Sequence, residues 1–440
     1  MNQSFYLETF GCQMNVVDSE RIVALLEGMD FTRVDSPEEA RIILLNTCSV
    51  RDKAERRVYG HLGRFKPLKK QRPDLVLGVG GCVAQQEGEK LLEKLPFVDL
   101  VFGTHNLHKL PEMVRAAMEK RTRSLETEFL DNETRLSLFP SRSDTGAVTR
   151  FVTVMQGCDN FCSYCVVPHV RGREVSRPSA EILEEIRALV AKGVREVTLL
   201  GQNVNSYGAK GESTLSFAGL LEEIEATDGL SRIRFTTSHP KDMSEELIAC
   251  FGRLSKLCPH LHLPFQSGSD RILSRMNRGY SRARYLEKVR KLKEACPELR
   301  LTTDIIVGFP GETLEDFEQT LSLVKEVGYA DAFTFLYSPR PGTPAADMED
   351  DQDPAQKQER FERLVKEQEA ISEALWQQDL GRTLEVLVEG PSKLGEGQLF
   401  GRTLWNRIVN FAGEASLAGR TVAVRITRCG KNSMTGELVR

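Results

Sequence analysis

The sequence predicts an α/β multidomain protein with an N-terminal open parallel α/β sheet domain, a central partial (β/α)6 barrel and a small all-β barrel at the C-terminus. Three observations carry this. Apolar runs alternate with amphipathic stretches over the first 120 residues. The same alternation returns after a polar gap for six further strand–helix pairs. Beyond about residue 380 the chain becomes a series of short β-branched runs broken by glycine. At 440 residues the chain exceeds what one core usually holds, so about three units are expected.

In the first unit, residues 1–120, YLETF, RIILLN and LVLGVGG read as buried strands. Each is followed by a helical stretch, SERIVALLEGM with Asp18 as its cap, RDKAERRVYGHLGRF, and QQEGEKLLEKL. Such βαβ rhythm gives a parallel sheet whose ligands gather beyond the carboxyl ends of the strands. Residues 121–146 are polar and aperiodic and read as a linker. From 147 to 375 the strands TRFVTVMQG, EVTLLG, RIRFTTS, HLHLPF, LRLTTDIIVGF and AFTFLYS alternate with helices. A long amphipathic helix, PAQKQERFERLVKEQEAISEALWQQ, leads into residues 376–440, where TLEVLVEG, LFGRTLWNRIVNF and TVAVRIT suit a small barrel.

Hydrophobic residues at 40% and charged residues at 28% are ordinary for a globular chain, and neither disorder nor fibrous bias is present. The N-terminus lacks a basic segment followed by an apolar one, and no apolar run nears the roughly 20 residues that span a bilayer, so a cytoplasmic protein without membrane contact is expected. In that reducing setting the ten cysteines are thiols or metal ligands before they are disulfides. A net charge of −4 does not announce a nucleic-acid binder. Locally, nine Lys/Arg against two Asp/Glu between Arg51 and Arg72 suit a solvated helix face or a phosphate-contacting patch.

Six of the ten cysteines form two sets of three. Cys158, Cys162 and Cys165 share one short loop with x3 and x2 spacing, while Cys12, Cys48 and Cys82 each follow a separate strand. A structural zinc site takes four ligands, usually in paired CxxC spacings, and only His169 lies near the first set as a fourth. Three thiolates on a four-iron cubane instead leave one iron open for chemistry. Cys250, Cys258, Cys296 and Cys429 have no ligand spacing and read as core.

With an aromatic at Tyr164, this CxxxCxxC resembles the radical S-adenosylmethionine (SAM) enzymes. The resemblance implies a 4Fe–4S cluster on Cys158, Cys162 and Cys165 that chelates SAM and splits it to a 5′-deoxyadenosyl radical. It also implies SAM contacts at Tyr164, Gln202, Ser238, Gln266, Asp304 and Gly308, although simple packing accounts equally for Tyr164. His239, Ser267 and Ser269 fall at strand ends on the same mouth.

YLETFGCQMNVVDSE, LLNTCSVRDKAE and GVGGCVAQ, followed by LLGQNVNSYG, HLPFQSGSDRIL and SPRPGTPAA, resemble the methylthiotransferases across essentially the whole chain. Gln13-Met14-Asn15 after Cys12 is similar to the branch acting on N6-isopentenyladenosine in transfer RNA. The branch acting on a ribosomal protein aspartate usually has Pro-Lys-Asn there, and the threonylcarbamoyladenosine branch Lys-Val/Thr-Asn. The resemblance implies a second 4Fe–4S cluster on Cys12, Cys48 and Cys82 carrying a sulfide that one SAM methylates, a second SAM serving as radical source, and methylthiolation of adenine C2 at tRNA position 37. Breaking an unactivated C–H bond calls for a radical and not an acid–base pair.

An electron donor such as flavodoxin or ferredoxin and a monomeric state are further expectations. The C-terminal unit resembles the TRAM barrel, with Arg402, Trp405, Arg407 and Phe411 suited to phosphate contact and base stacking or, for the aromatics, to filling the barrel. Two alternatives stay open here, a methylthiotransferase acting on a ribosomal protein aspartate and a non-catalytic RNA-binding protein with structural metal.

Overall fold

A computed structural model describes residues 3–49, 52–137, 146–210 and 215–439. The first unit runs β1 (Ser4–Thr9), α1 (Gln13–Glu27), β2 (Thr32–Arg33), β3 (Ile42–Thr47), α2 (Asp52–Gln71), β4 (Val76–Gly81), α3 (Cys82–Glu87), α4 (Glu89–Lys94), β5 (Leu100–Phe102), α5 (Leu110–Lys120), β6 (Ser124–Glu126) and α6 (Asn132–Ser137). Its strands form one parallel sheet in the order β2-β1-β3-β4-β5-β6. Side chains alternate across a strand, so Ile42 and Leu44 of β3 enter one core with Phe5, Ile22 and Phe102, while Ile43 and Leu45 enter another with Leu62, Leu77 and Val79. Cover on both faces is what an all-parallel sheet requires.

Three local details differ from the sequence reading. Helix α1 begins directly after Cys12, which occupies its N-cap position; Asp18 is therefore inside the helix and buried, not a cap. The stretch QQEGEKLLEKL is broken into α3 and α4 at Gly88, whose φ of 50° interrupts the helix. Residues 124–126, read as part of a linker, extend the sheet as β6 beside β5. Residues 138–145 of that linker, and the side chains of residues 51–57 in the basic run, lie outside the described residues. Further along the run, Lys69 pairs with Asp99 at 2.7 Å and Arg72 donates to the carbonyls of Glu38 and Ala40, so those cations hold the fold.

The central unit holds β7 (Thr149–Thr153), β8 (Met155–Gln156), α7 (Val167–Arg171), β9 (Val175–Ser176), α8 (Ser179–Ala191), β10 (Glu196–Leu200), α9 (Phe217–Glu225), β11 (Arg232–Phe235), α10 (Glu245–Arg253) and β12 (His260–His262). It continues with α11 (Asp270–Arg275), α12 (Arg282–Ala295), β13 (Arg300–Val307), α13 (Leu314–Val327), β14 (Asp331–Leu336) and α14 (Pro354–Gln377). Strands β7, β10 and β11 form one parallel arc and β12, β13 and β14 another, joined where Ile233 bridges Leu257. The six strands thus make an open barrel around Val197, Leu199, Phe235, Leu261, Phe265 and Ile305. Cys250 and Cys258 are buried and Cys296 and Cys429 half-buried.

Beyond α14, β15 (Thr383–Pro391), β16 (Gln398–Thr403), β17 (Ile408–Ala412), β18 (Thr421–Cys429) and β19 (Ser433–Leu438) close into a barrel in the order β15-β16-β17-β19-β18. Arg407, read as suited to RNA, instead serves the junction with the central unit, and Trp405, read as suited either to RNA or to packing, packs in the core and at that junction. Trp405 donates to the Glu298 carbonyl at 2.9 Å and lies 4.0 Å from the Arg300 guanidinium, which has Trp376 at 4.5 Å and pairs with buried Asp379. Arg407 lies over Trp376 and donates to the carbonyls of Gly430 and Lys431. Phe411 fills the barrel. Arg234 completes the seam by donating to the carbonyls of Thr403 and Leu404.

Candidate active site: two thiol sets joined by one short helix

Cys12, Cys48 and Cys82 follow β1, β3 and β4, which are hydrogen-bonded neighbours in the sheet, so strand pairing alone brings the three together. Two asparagines fix the loops. Asn15 Nδ2 donates to Asn46 Oδ1 at 3.2 Å and to the Thr47 carbonyl at 2.8 Å, and Asn46 Nδ2 returns a bond to the Asn15 carbonyl. The Cys12 thiol donates to Asn15 Oδ1 at 3.4 Å. A hydrogen bond with Cys48 lowers the Cys12 pKa to about 6, and burial pushes Cys82 up against the opposing charge of Arg171. Backbone approach is tight enough to need glycine: Gly11 has φ of +112°, and a Cβ there would lie 2.3 Å from Cys48 Cβ.

The second set lies in the loop after β8. Gly157 N donates to Gln202 Oε1 at 2.5 Å, and the Ser163 N–H donates to the Met276 carbonyl, so the loop is pinned from two sides of the barrel. Burial raises Cys158 to about 11 and Cys165 to about 12 as thiols. Arg278 Nη1 donates to Cys162 Sγ at 3.3 Å and to Tyr164 OH at 3.4 Å, and Arg278 Nη2 to the Pro264 carbonyl. His239 Nε2 stands 3.8 Å from Cys162 Sγ, and burial followed by Arg278 lowers its pKa, so it is neutral.

The other sequence-predicted positions lie on or just beyond the barrel strands, apart from Tyr164 in the loop itself. Tyr164 packs with Ile272, Met276 and Phe309. Ser238 is buried with an Oγ that meets no hydrogen-bond partner among the described residues, as are Thr153 Oγ1 and Asn203 Oδ1 on neighbouring strand ends. Gln266, at φ of +67°, binds the β13 backbone at Asp304 and Ile306. Asp304 faces His262 at 3.4 Å, and Gly308 donates its N–H to Glu312, whose pKa burial raises to about 7.

One segment touches both thiol sets. Val166 and Val170, which follow Cys165, pack on Cys82, and Arg171 at the end of α7 lies within hydrogen-bonding reach of Cys82 and carries its charge near Cys12. Burial works against the Arg171 charge, but Asp18 at 2.7 Å and the two cysteines raise its pKa and keep it cationic. Sequence reasoning missed Arg171 and Arg278, because Asn15 and Asp18, which hold the first, and Cys162, which the second binds, lie over 100 residues away. Among the described residues no three His, Cys, Asp or Glu side chains are gathered tightly enough to hold one metal ion. Two sets of three thiols that converge on no single metal position fit a cubane, which offers a separate iron to each sulfur, better than they fit a zinc ion. The unpaired Thr153, Asn203 and Ser238 oxygens fit a polar ligand over the second set.

Residues 4–103 match the model of the uncharacterized protein family UPF0004, residues 152–324 that of the radical SAM superfamily, and residues 377–439 that of the TRAM domain. The chain is 59% identical to the tRNA-2-methylthio-N(6)-dimethylallyladenosine synthase of Syntrophotalea carbinolica, over 99% of this chain and 100% of that protein. It is 63% identical to the synthase of the same name in Geobacter metallireducens, over 98% of both chains. The chain belongs to the tRNA-2-methylthio-N(6)-dimethylallyladenosine synthase family.

As a member of that family it carries 4Fe–4S and SAM chemistry on a three-unit frame. The radical SAM methyltransferase TsrM of Kitasatospora setae, solved with cobalamin and a 4Fe–4S cluster, shares the fold with a TM-score of 0.60 at 16% identity, over 79% of this chain and 77% of that one. The cobalamin-dependent enzyme OxsB does so at 0.54 and 14%, over 84% and 56%.

Proposed function

We propose that the chain methylthiolates C2 of N6-isopentenyladenosine at tRNA position 37, with Cys12, Cys48 and Cys82 holding the sulfur-donating cluster and Cys158, Cys162 and Cys165 the SAM-cleaving one. The observation that carries this is the contact of both thiol sets with the segment from Cys165 to Arg171. It fits a reaction in which a sulfur source and a radical source serve one substrate atom. The names of the full-length relatives supply the substrate. When bound, the two clusters and SAM supply a transferable sulfide, a methyl group and a hydrogen-abstracting radical.

The chain's own residues place these groups. Asn15 and Asn46 lock the β1 and β3 loops so that Cys12 and Cys48 hold their spacing. Gln202 anchors Gly157 at the start of the second loop, and Arg278 sets the Cys162 sulfur against Tyr164. Thr153, Asn203 and Ser238 carry unpaired polar atoms that would hold the polar end of SAM, and Tyr164, Gln266, Asp304 and Gly308 would contact the rest of it. No described helix is long and apolar enough to cross a membrane. We assign the protein to the cytoplasm as a monomer, reduced by a flavodoxin or ferredoxin. Isopentenylated tRNA incubated anaerobically with reduced protein and SAM should yield the 2-methylthio nucleoside by mass spectrometry. Its absence, with a ribosomal-protein peptide modified instead, would overturn the assignment.

A further inference from the structure

Arg171 belongs by sequence to the SAM-cleaving unit, six residues beyond Cys165, yet its guanidinium sits with Asp18, Asn15 and Cys82 of the other and carries its charge near Cys12. It is 4% exposed. Its Nη2 pairs with Asp18 at 2.7 Å and approaches Asn15 Oδ1 at 3.5 Å, whereas its buried Nη1 meets no well-aligned acceptor among the described residues, although the Cys82 sulfur lies within hydrogen-bonding reach of the guanidinium. A buried cationic N–H that faces only a thiol sulfur, a weak acceptor, is poorly satisfied, so its retention calls for an anionic sulfur in that space.

Arg171 is also prevented from turning away. Thr104 donates to the Val170 carbonyl, and His105 Nε2 and Arg135 Nη2 donate to the Arg171 carbonyl. Because His105 Nδ1 accepts from the Leu130 N–H, the ring is the neutral Nε2–H tautomer. Four segments, α1, the turn after β5, α6 and α7, converge to aim one guanidinium at the thiol set.

We propose that Arg171 is a positioning residue of the sulfur-donating site, its Nη1–H giving a charge-assisted hydrogen bond to an anionic sulfide held by Cys12, Cys48 and Cys82. This rests on the reading of that triad as a cluster site. Hydrogen bonds to sulfur and local net charge tune the reduction potential of an iron–sulfur cluster. The Arg171 cation favours the reduced, more negative cluster and raises its potential, and the Asp18 carboxylate opposes it. The site is complete only when the two units are docked, so the sulfur source and the radical source are tied by one side chain.

The test uses the full-length chain with Cys158, Cys162 and Cys165 replaced by Ala, so that only one cluster is read. Reconstituted anaerobically, it is titrated by EPR-monitored potentiometry, as are its Arg171→Gln, Arg171→Lys and Asp18→Asn variants. Arg171→Gln should shift the midpoint negative and Asp18→Asn positive, with Arg171→Lys between Arg171→Gln and the parent. Both Arg171→Gln and Asp18→Asn should lower Tm, because they break the same buried pair. A role confined to holding the units together would lower Tm without opposed shifts. An unmoved midpoint in Arg171→Gln, or shifts of like sign in the two charge variants, overturns the proposal alone. A parent that binds no iron overturns the triad reading and the proposal together.

Discussion

Replacing Gly11 by alanine isolates the geometry of the sulfur-donating site. The added Cβ would lie 2.3 Å from Cys48 Cβ and 2.8 Å from Cys48 Sγ. Carbon atoms settle at about 3.5 Å or more, so one loop must retreat by about 1 Å. Metal–ligand distances tolerate roughly ±0.2 Å, so the retreat is several times what Cys48 can absorb as a ligand. The φ of +112° adds about 1–3 kcal/mol of backbone strain in a non-glycine residue. Gly193 supplies the control: its φ is +98°, but a Cβ added there would meet no atom within 4 Å, so Gly193→Ala adds strain without a clash. After anaerobic reconstitution Gly11→Ala should hold about four irons instead of about eight, keep 5′-deoxyadenosine formation and lose the methylthio product. Gly193→Ala should keep about eight irons while losing some stability. A full iron complement in Gly11→Ala would refute the argument that β1 and β3 place Cys12 and Cys48 as joint ligands.

Cys162→Ala should abolish 5′-deoxyadenosine while leaving about four irons per chain; persistence of that product would remove the assignment of the second set. Arg300→Ala leaves Asp379, which is fully buried, with Arg382 at 3.2 Å as its remaining ion-pair partner and unstacks Trp405. Breaking such a pair costs about 3–5 kcal/mol, visible as faster proteolysis near residue 380, and unchanged proteolysis would contradict the seam described for the C-terminal barrel. Burial lowers the His105 pKa from its ordinary 6.5 to about 4. The unfolded chain therefore takes up a proton first as pH falls, and stability present above pH 6.5 is lost progressively down to about pH 4, by ~3 kcal/mol at most. Tm measured across that window should fall less steeply in His105→Gln, and an unaltered slope would exclude this residue as the cause.

The two thiol sets are legible in the sequence for different reasons. Cys158, Cys162 and Cys165 declare themselves by spacing in one loop. Cys12, Cys48 and Cys82 do so because each ends a buried strand, and neighbouring parallel strands bring their ends together. Asp18 misleads because polar residues at helix starts usually cap, whereas here Cys12 already occupies that position and Asp18 answers a cation from another unit. Arg407 reads as an RNA contact because local composition cannot reveal Trp376, its long-range partner, whereas the packing alternative for Trp405 is the one the structure bears out, in the barrel core and over Arg300. Arg171 carries no local signal, being one arginine at the end of a short helix until the fold sets it beside Asp18 and Cys82.

The central claim is that two separate thiol sets divide the labour. Its most direct measurement is nucleoside mass spectrometry and 5′-deoxyadenosine assay on one chain in which Cys12, Cys48 and Cys82 are all alanine. That chain should hold about four irons, still cleave SAM and form no 2-methylthio nucleoside. Methylthiolated tRNA from it would contradict the account.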